Sequence, residues 1–171
     1  MSLPHGFKHL ETNQLKFENT QPMVFADFSE TLFDFSYRFD FGKSYLLDAE
    51  LRNGAWAISW ALGGRMPLSK TVISIDGVYY EPKQLRKIAW CVELDGYKRK
   101  WCFPLQYKSV KHQVEDGLSK TQHTSVAEIM ENFLLAPSRY ARPLTQQSSE
   151  KWRSGLAIAY SHGRSIYCFP H

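Results

Sequence analysis

A chain of 171 residues with 43% hydrophobic and 15% aromatic residues can bury a sizeable core and is too apolar for a disordered protein. Its net charge of +4 gives little electrostatic footprint for nucleic acid, and no run approaches the ~18 apolar residues of a membrane span. The three cysteines, Cys91, Cys102 and Cys168, lie in mostly apolar surroundings without CxxC or HxxxH spacing, and the polar start Met1 to His9 lacks the apolar core of a signal peptide. Together these predict buried free thiols, no metal site and a cytoplasmic protein without direct membrane insertion.

In chain order, residues 1–20 read as an N-terminal arm leading into a strand at Met23 to Phe28. In Leu32 to Phe41 the aromatics Phe33, Phe35, Tyr37, Phe39 and Phe41 share one parity, the period of a half-buried antiparallel strand. Tyr45 to Asp48 is short and apolar, as a strand buried on both faces would be. Gly54 then opens a helical run carrying Trp56 and Trp60 at i,i+4, a spacing that suits packing, and Gly63 with Gly64 ends it. Val72 to Gly77 predicts a strand closing in an Asp-Gly turn, with Asp76 as turn former. Glu81 and Pro82 open a helical turn through Leu85, and Ile88 to Val92 is a further strand.

Lys98, Arg99 and Lys100 followed by Trp101 can be read as phosphate-touching side chains beside a stacking ring, or as a solvated hairpin turn between Cys91-Val92 and Trp101 to Phe103. From Ser109 the pattern turns helical, with Glu115 and Asp116 on a helix face. A capping box at Ser125 and Glu128 starts the next helix. Pro137 to Tyr140 is a brief one, and Ser148 or Ser149 caps a last helix that His162 and Gly163 end. Ile166 to Phe169 is a final strand. His112, His123, His162 and His171 are scattered and read as surface or capping residues.

Four blocks in this order resemble the ATP-binding cassette (ABC) domain of ABC-type transporters and their relatives. Tyr45 to Asp48, Ala49 to Trp56 and Ala57 to Leu62 match the first core strand, the phosphate loop GxxxxGK[ST] and the helix behind it. Met66 to Gly77 is similar to the strand ending in the family's Leu-Asp-Gly turn, and Leu85 to Glu93 to the strand that delivers the Q-loop glutamine. Arg142 to Tyr160 resembles the signature motif and its helix, with Ile166 to Phe169 in the place of the Walker B strand. The resemblance implies a P-loop NTPase-like ABC ATPase core of α/β class, with antiparallel N-terminal strands and a helical subdomain at about 105–145. All of it forms one degenerate domain.

The chemistry is replaced at every matched position. The phosphate-loop lysine neutralises the β- and γ-phosphates and the next hydroxyl ligates magnesium; here they are Ala55 and Trp56, with Ala49 for the first glycine and only Asn53 and Gly54 left beside them. Glu93 stands for the Q-loop glutamine. Gln147, Ser148 and Ser149, followed by Glu150, stand for the signature serine and glycines, and Pro170 and His171 for the Walker B aspartate and catalytic glutamate. Phe28 lies near the position of the family's adenine-stacking aromatic, or is simply a sheet-face residue. A second loop, Gly64 to Thr71 with Ser69 and Lys70, is one glycine short of a phosphate loop. A strand rather than a helix is predicted after it, which leaves no amides aimed at phosphate.

The resemblance therefore implies a catalytically dead cassette, with no cofactor, acting through protein–protein interaction. The alternatives are an active or weakly active ATP-binding subunit, with ATP and magnesium as its ligands, and an unrelated α/β binding module. A core stopping at the Walker B strand has an open sheet edge, for which a protein partner, another ABC-type subunit or a second copy is the expected cover; nucleic acid is not expected.

Overall fold

The computed structural model describes residues 7–20, 29–50, 52–66, 68, 72–92, 95–99, 106–121 and 124–169. The chain divides into two compact units, residues 1–89 with 170–171, and residues 90–169.

The first unit is built on an antiparallel sheet of β1 (His9–Thr20), β2 (Glu30–Asp40), β3 (Ile73–Ile75) and β4 (Val78–Tyr79), in the order β2-β1-β3-β4. The arm expected over residues 1–20 is instead, from His9 onward, a central strand, because Leu10, Leu15 and Phe17 are buried along it. Strict alternation fails there: the register shifts between Thr12 and Leu15, where Gln14 has φ 51°, so the buried parity switches from Leu10 and Thr12 to Leu15 and Phe17. The aromatic row of β2 lies opposite these residues, with Phe39 across from Leu10 and Phe35 across from Leu15. Phe35 and Phe39 are half-buried, while Phe33 is 76% exposed.

Asp76 and Gly77, both at positive φ, turn β3 into β4, as an Asp-Gly pair should. The Asp76 carboxylate also accepts hydrogen bonds from the backbone N–H of Lys8 and His9 at 3.0 Å. Those bonds, His9 first and Lys8 second, hold its pKa below the usual carboxylate value of 3.8. A depressed folded-state pKa stabilises above the unfolded value and the contribution is lost as pH falls through the folded one. Asp76→Asn should therefore flatten the acid limb of a stability-against-pH curve below about pH 4. Denaturant titrations at stepped pH check this, and an unchanged acid limb in the variant would refute it.

Two helices complete the unit, α1 (Ala55–Leu62) and α2 (Pro82–Ile88). α1 buries Ala57, Ile58, Trp60, Ala61 and Leu62 and ends at Gly63 and Gly64 as expected, and α2 is closed by a reciprocal Glu81–Gln84 capping box. Gly64, at φ +66°, lies so close to α2 that a Cβ there would stand 2.3 Å from the Pro82 carbonyl oxygen. The core strand expected at Tyr45 to Asp48 does not form: the segment has no strand pairing, and Leu46 is 91% exposed. It passes along β2 instead. The Asp40 N–H donates to the Tyr45 hydroxyl at 2.8 Å, the Tyr45 ring packs edge-on against Tyr37 and Phe39, and the Thr31 N–H donates to the Arg52 carbonyl at 3.0 Å. Three apolar residues followed by Asp48 are too few to fill two faces of a buried strand. The strand expected at Met23 to Phe28 lies outside the described residues.

The second unit is mainly helical: α3 (Val110–Thr121), α4 (Val126–Asn132), α5 (Pro137–Tyr140), a 3-10 turn at Leu144–Gln146 and α6 (Lys151–Ser161). β5 (Ala89–Cys91) pairs with β6 (Ile166–Cys168), so the strands expected at Ile88 to Val92 and Ile166 to Phe169 are present. The core gathers Trp90, Val92, Val110, Val114, Ile129, Tyr140, Leu144 and Ile158. Ser125 caps α4, its hydroxyl accepting from the Glu128 N–H at 3.2 Å, but the reciprocal half of the box is absent: the Glu128 carboxylate takes the Thr124 hydroxyl. Neither Ser148 nor Ser149 caps α6, whose N-cap is Glu150 without a side-chain bond. Cys91 and Cys168 are buried and form no disulfide, and the Cys91 thiol together with burial pushes the Cys168 thiol up. Among the described residues no helix is long and apolar enough to cross a membrane.

Candidate functional site

The start of α1 is the place where this sequence would hold a phosphate. Gly54, buried and in the left-handed region at φ +87°, leads into it because only a residue without Cβ fits there: a Cβ would lie 2.8 Å from that of Leu32 on β2. Arg52, at φ 77°, and a hydrogen bond from the Asn53 N–H to the Glu50 carbonyl at 3.1 Å form the turn before it. A turn feeding a helix N-terminus is thus present, while the strand that should precede it is not.

What stands at that N-terminus is a carboxylate of the chain itself. Glu30, at the start of β2 and 2% exposed, accepts the N–H of Ala57 through Oε2 at 2.6 Å, and the bond is buried. Free amides and the positive end of the helix dipole favour an anion here, and a charged acceptor makes the bond short and strong. The arrangement is the same physical solution as a bound phosphate, reached with a side chain 27 residues away in sequence. Nothing in the sequence points to Glu30, because a glutamate at a strand start is unremarkable until the fold brings it to α1.

The other residues expected at this site separate into three groups. Gly54, Ala55 and Trp56 lie at the helix start, with Ala55 and Trp56 half-buried, and Ala49 and Asn53 are exposed on the turn before it. None of these five side chains carries a positive charge. Phe28, Glu93, Pro170 and His171 lie outside the described residues, as do Ser69, Lys70 and Thr71 of the second loop. That loop is followed by strand β3, as expected, and not by a helix.

Gln147, Ser148, Ser149 and Glu150 belong to the second unit. Gln147 turns inward: its amide donates to the Arg139 carbonyl at 2.9 Å and its oxygen accepts the Ser154 hydroxyl at 2.6 Å. Glu150 pairs with Arg139. Both therefore tie α5 to the start of α6, and only Ser148 and Ser149 are exposed there.

His162 is the C-cap of α6, the second of the two roles expected of it, and it is partly buried. Its ring stacks on Trp90 at 6.5 Å, and burial, followed by the positive charges of Lys98, Arg164 and Lys120, holds its pKa down to about 4. Arg99 pairs antiparallel with Tyr107, and the Arg99 guanidinium lies over the Tyr107 ring at 5.7 Å; Trp101 to Phe103, the far side of the expected hairpin, lie outside the described residues. Among the described residues no group of three His, Cys, Asp or Glu could hold a metal ion. A shallow concavity of about 340 Å³ lies in the first unit over Thr12, Ser36, Tyr37 and Tyr79, and its lining includes no residue at the start of α1.

The chain has the fold of part of a solved structure, that of a bacterial Atm1-family ABC exporter with ATP bound, at a TM-score of 0.57 and 14% sequence identity. The match covers 98% of this chain and 30% of the exporter chain. No protein-family model and no curated protein matches the sequence. At that identity the likeness is one of fold: a mixed α/β chain related in architecture to an ABC exporter.

Proposed function

We propose that this chain is a degenerate ABC-type domain that acts by binding a protein partner and does not hydrolyse nucleotide. The observation that carries the reading is Glu30. A phosphate brought to the Ala57 amide would meet a buried carboxylate already bonded there, and two anions in a poorly solvated site repel. Ala55 and Trp56 offer neither the ammonium nor the hydroxyl that phosphoryl transfer needs, and such losses cost several kcal/mol of transition-state stabilisation.

Interaction with another protein is favoured by what the first unit leaves in solvent. Phe33, Tyr37, Phe41 and Leu46 are all exposed, and exposed large apolar side chains mark protein contact where they are contiguous. The partner we propose is another ABC-type subunit.

The test is a titration with magnesium-ATP that follows the melting temperature, run beside an assay of phosphate release. A ligand at a hundredfold excess over its dissociation constant stabilises by about 2.7 kcal/mol. The expected results are no shift at millimolar ATP and no magnesium-dependent turnover above background. A clear, saturable upward shift, or turnover, would overturn the reading in favour of an ATP-binding subunit.

A further inference from the structure

β2 forms one margin of the four-stranded sheet, and at 11 residues it is a long strand to leave at an edge. Hydrogen bonds to β1 fix which of its residues face outward. The Phe41 N–H donates to the Lys8 carbonyl at 2.9 Å. Tyr37 turns both backbone groups to β1, its N–H donating to the Thr12 hydroxyl at 3.0 Å and its carbonyl accepting that hydroxyl at 3.3 Å. Bonding direction alternates along a strand, so the N–H and C=O of Asp34, Ser36, Arg38 and Asp40 point away from β1. The Asp40 N–H follows this rule and reaches the Tyr45 hydroxyl at 2.8 Å. Among the described residues, the segment after β2 meets the backbone of that strand near its two ends, Tyr45 at Asp40 and Arg52 at Thr31. Between them Asp34, Ser36 and Arg38 are exposed.

That stretch is complementary to itself. Set antiparallel to a second copy about Ser36, it places Ser36 opposite Ser36 and Asp34 opposite Arg38 on both sides of the two-fold axis, all at positions whose backbone groups point at each other. Between them fall Phe35 of one copy and Tyr37 of the other, at the closer positions where cross-strand aromatic pairs add stability. Phe35 and Tyr37 stack within the chain at 6.1 Å, so their rings share one face, and Tyr37, 47% exposed, has surface left to cover. Sliding one copy by two residues sets Asp34 against Asp40 in one direction and Arg38 against Leu32 in the other. The charges therefore select the register centred on Ser36. Arg38 already meets Asp40 at 3.1 Å and Glu11 at 4.0 Å, and Asp34 accepts the Ser36 hydroxyl at 3.4 Å. A guanidinium has five N–H donors, so it takes a further carboxylate without giving these up.

We propose that β2 pairs with β2 of a second copy of this chain, antiparallel about Ser36, joining the two sheets into one. The proposal rests on the reading of the chain as one that acts by protein contact, and it names the other ABC-type subunit as an identical one. The paired stretch is short, so the dimer is weak and depends on concentration.

Sedimentation velocity of the full chain from about 5 to 500 µM reads the association, with circular dichroism to establish that each variant folds. Asp34→Arg puts two arginines across each junction and Arg38→Asp puts two aspartates there, so each variant alone should associate about tenfold more weakly than the natural chain. Mixed in equal amounts they set arginine against aspartate at both junctions, and association should return. Asp34→Glu keeps the charge and should associate like the natural chain; if Arg38→Asp does not fold, Asp34→Arg against Asp34→Glu carries the test. A chain that stays monomeric over this range, association equal in all variants, or a mixture of folded variants no stronger than either alone overturns the pairing. The ATP titration is read separately: a monomer leaves the non-hydrolysing reading standing and overturns only the identity of the partner.

Discussion

Gly117→Ala is expected to destabilise the second unit by about 2 kcal/mol, and Gly117→Val by about 3 kcal/mol or more. The direction is informative because replacing glycine by alanine inside an exposed helix ordinarily adds up to about 1 kcal/mol. Gly117 lies in the middle of α3 and is buried against the end of α6. A Cβ there would stand 2.5 Å from the Ser161 hydroxyl, 2.7 Å from the Ser161 carbonyl carbon and 2.8 Å from its oxygen. The hydroxyl cannot simply swing away, since it donates to the Ile158 carbonyl at 2.7 Å, and the other two atoms are backbone. The backbones of α3 and α6 therefore approach as closely as they do only because residue 117 has no side chain, and Ser161→Ala should not rescue the variants. Urea denaturation followed by tryptophan fluorescence measures the effect. A stabilised alanine variant would show that the two helices have room to spare.

Glu30→Ala should cost about 2 to 3 kcal/mol, and Glu30→Gln distinctly less. The alanine variant removes a charged acceptor from the first turn of α1 and leaves the buried Ala57 N–H without it, while the glutamine oxygen can still accept that N–H. The expected stability order is Glu, then Gln, then Ala at neutral pH, read by denaturant titration. Equal stability of all three would mean that the carboxylate is not what completes the helix end. Removing it should not create an ATPase, because Ala55 and Trp56 remain, so phosphate release by Glu30→Ala would count against the non-hydrolysing reading.

Exposed aromatics and an unsettled strand also show where local sequence was a poor guide. Tyr45 to Asp48 has the look of a buried strand, yet its fate depended on whether neighbours paired with it, and β2 offered Tyr45 an aromatic surface instead. In the stretch matched to the signature motif, Gln147 turns inward onto Arg139 and Ser154, contacts that its place in the motif does not suggest. His162 does cap the end of α6, and what its position did not give is the stacking of its ring on a core tryptophan 72 positions earlier in the chain.

What the sequence by itself determined was local. Period-two aromatics made β2, the Asp76-Gly77 pair made the β3–β4 turn, Pro82 opened α2, Ser125 capped α4, and paired glycines ended α1. It also determined what cannot happen at residues 55 and 56, because no fold gives alanine or tryptophan a positive charge. Each of these follows from backbone preference or side-chain chemistry acting within a few residues. Only the tertiary structure decided the contacts between distant segments: Glu30 at the head of α1, Gly117 against Ser161, and Asp76 holding the amides of Lys8 and His9. Those depend on which backbones approach and which charges are brought out of water together, and neither is written in the spacing of residues along the chain.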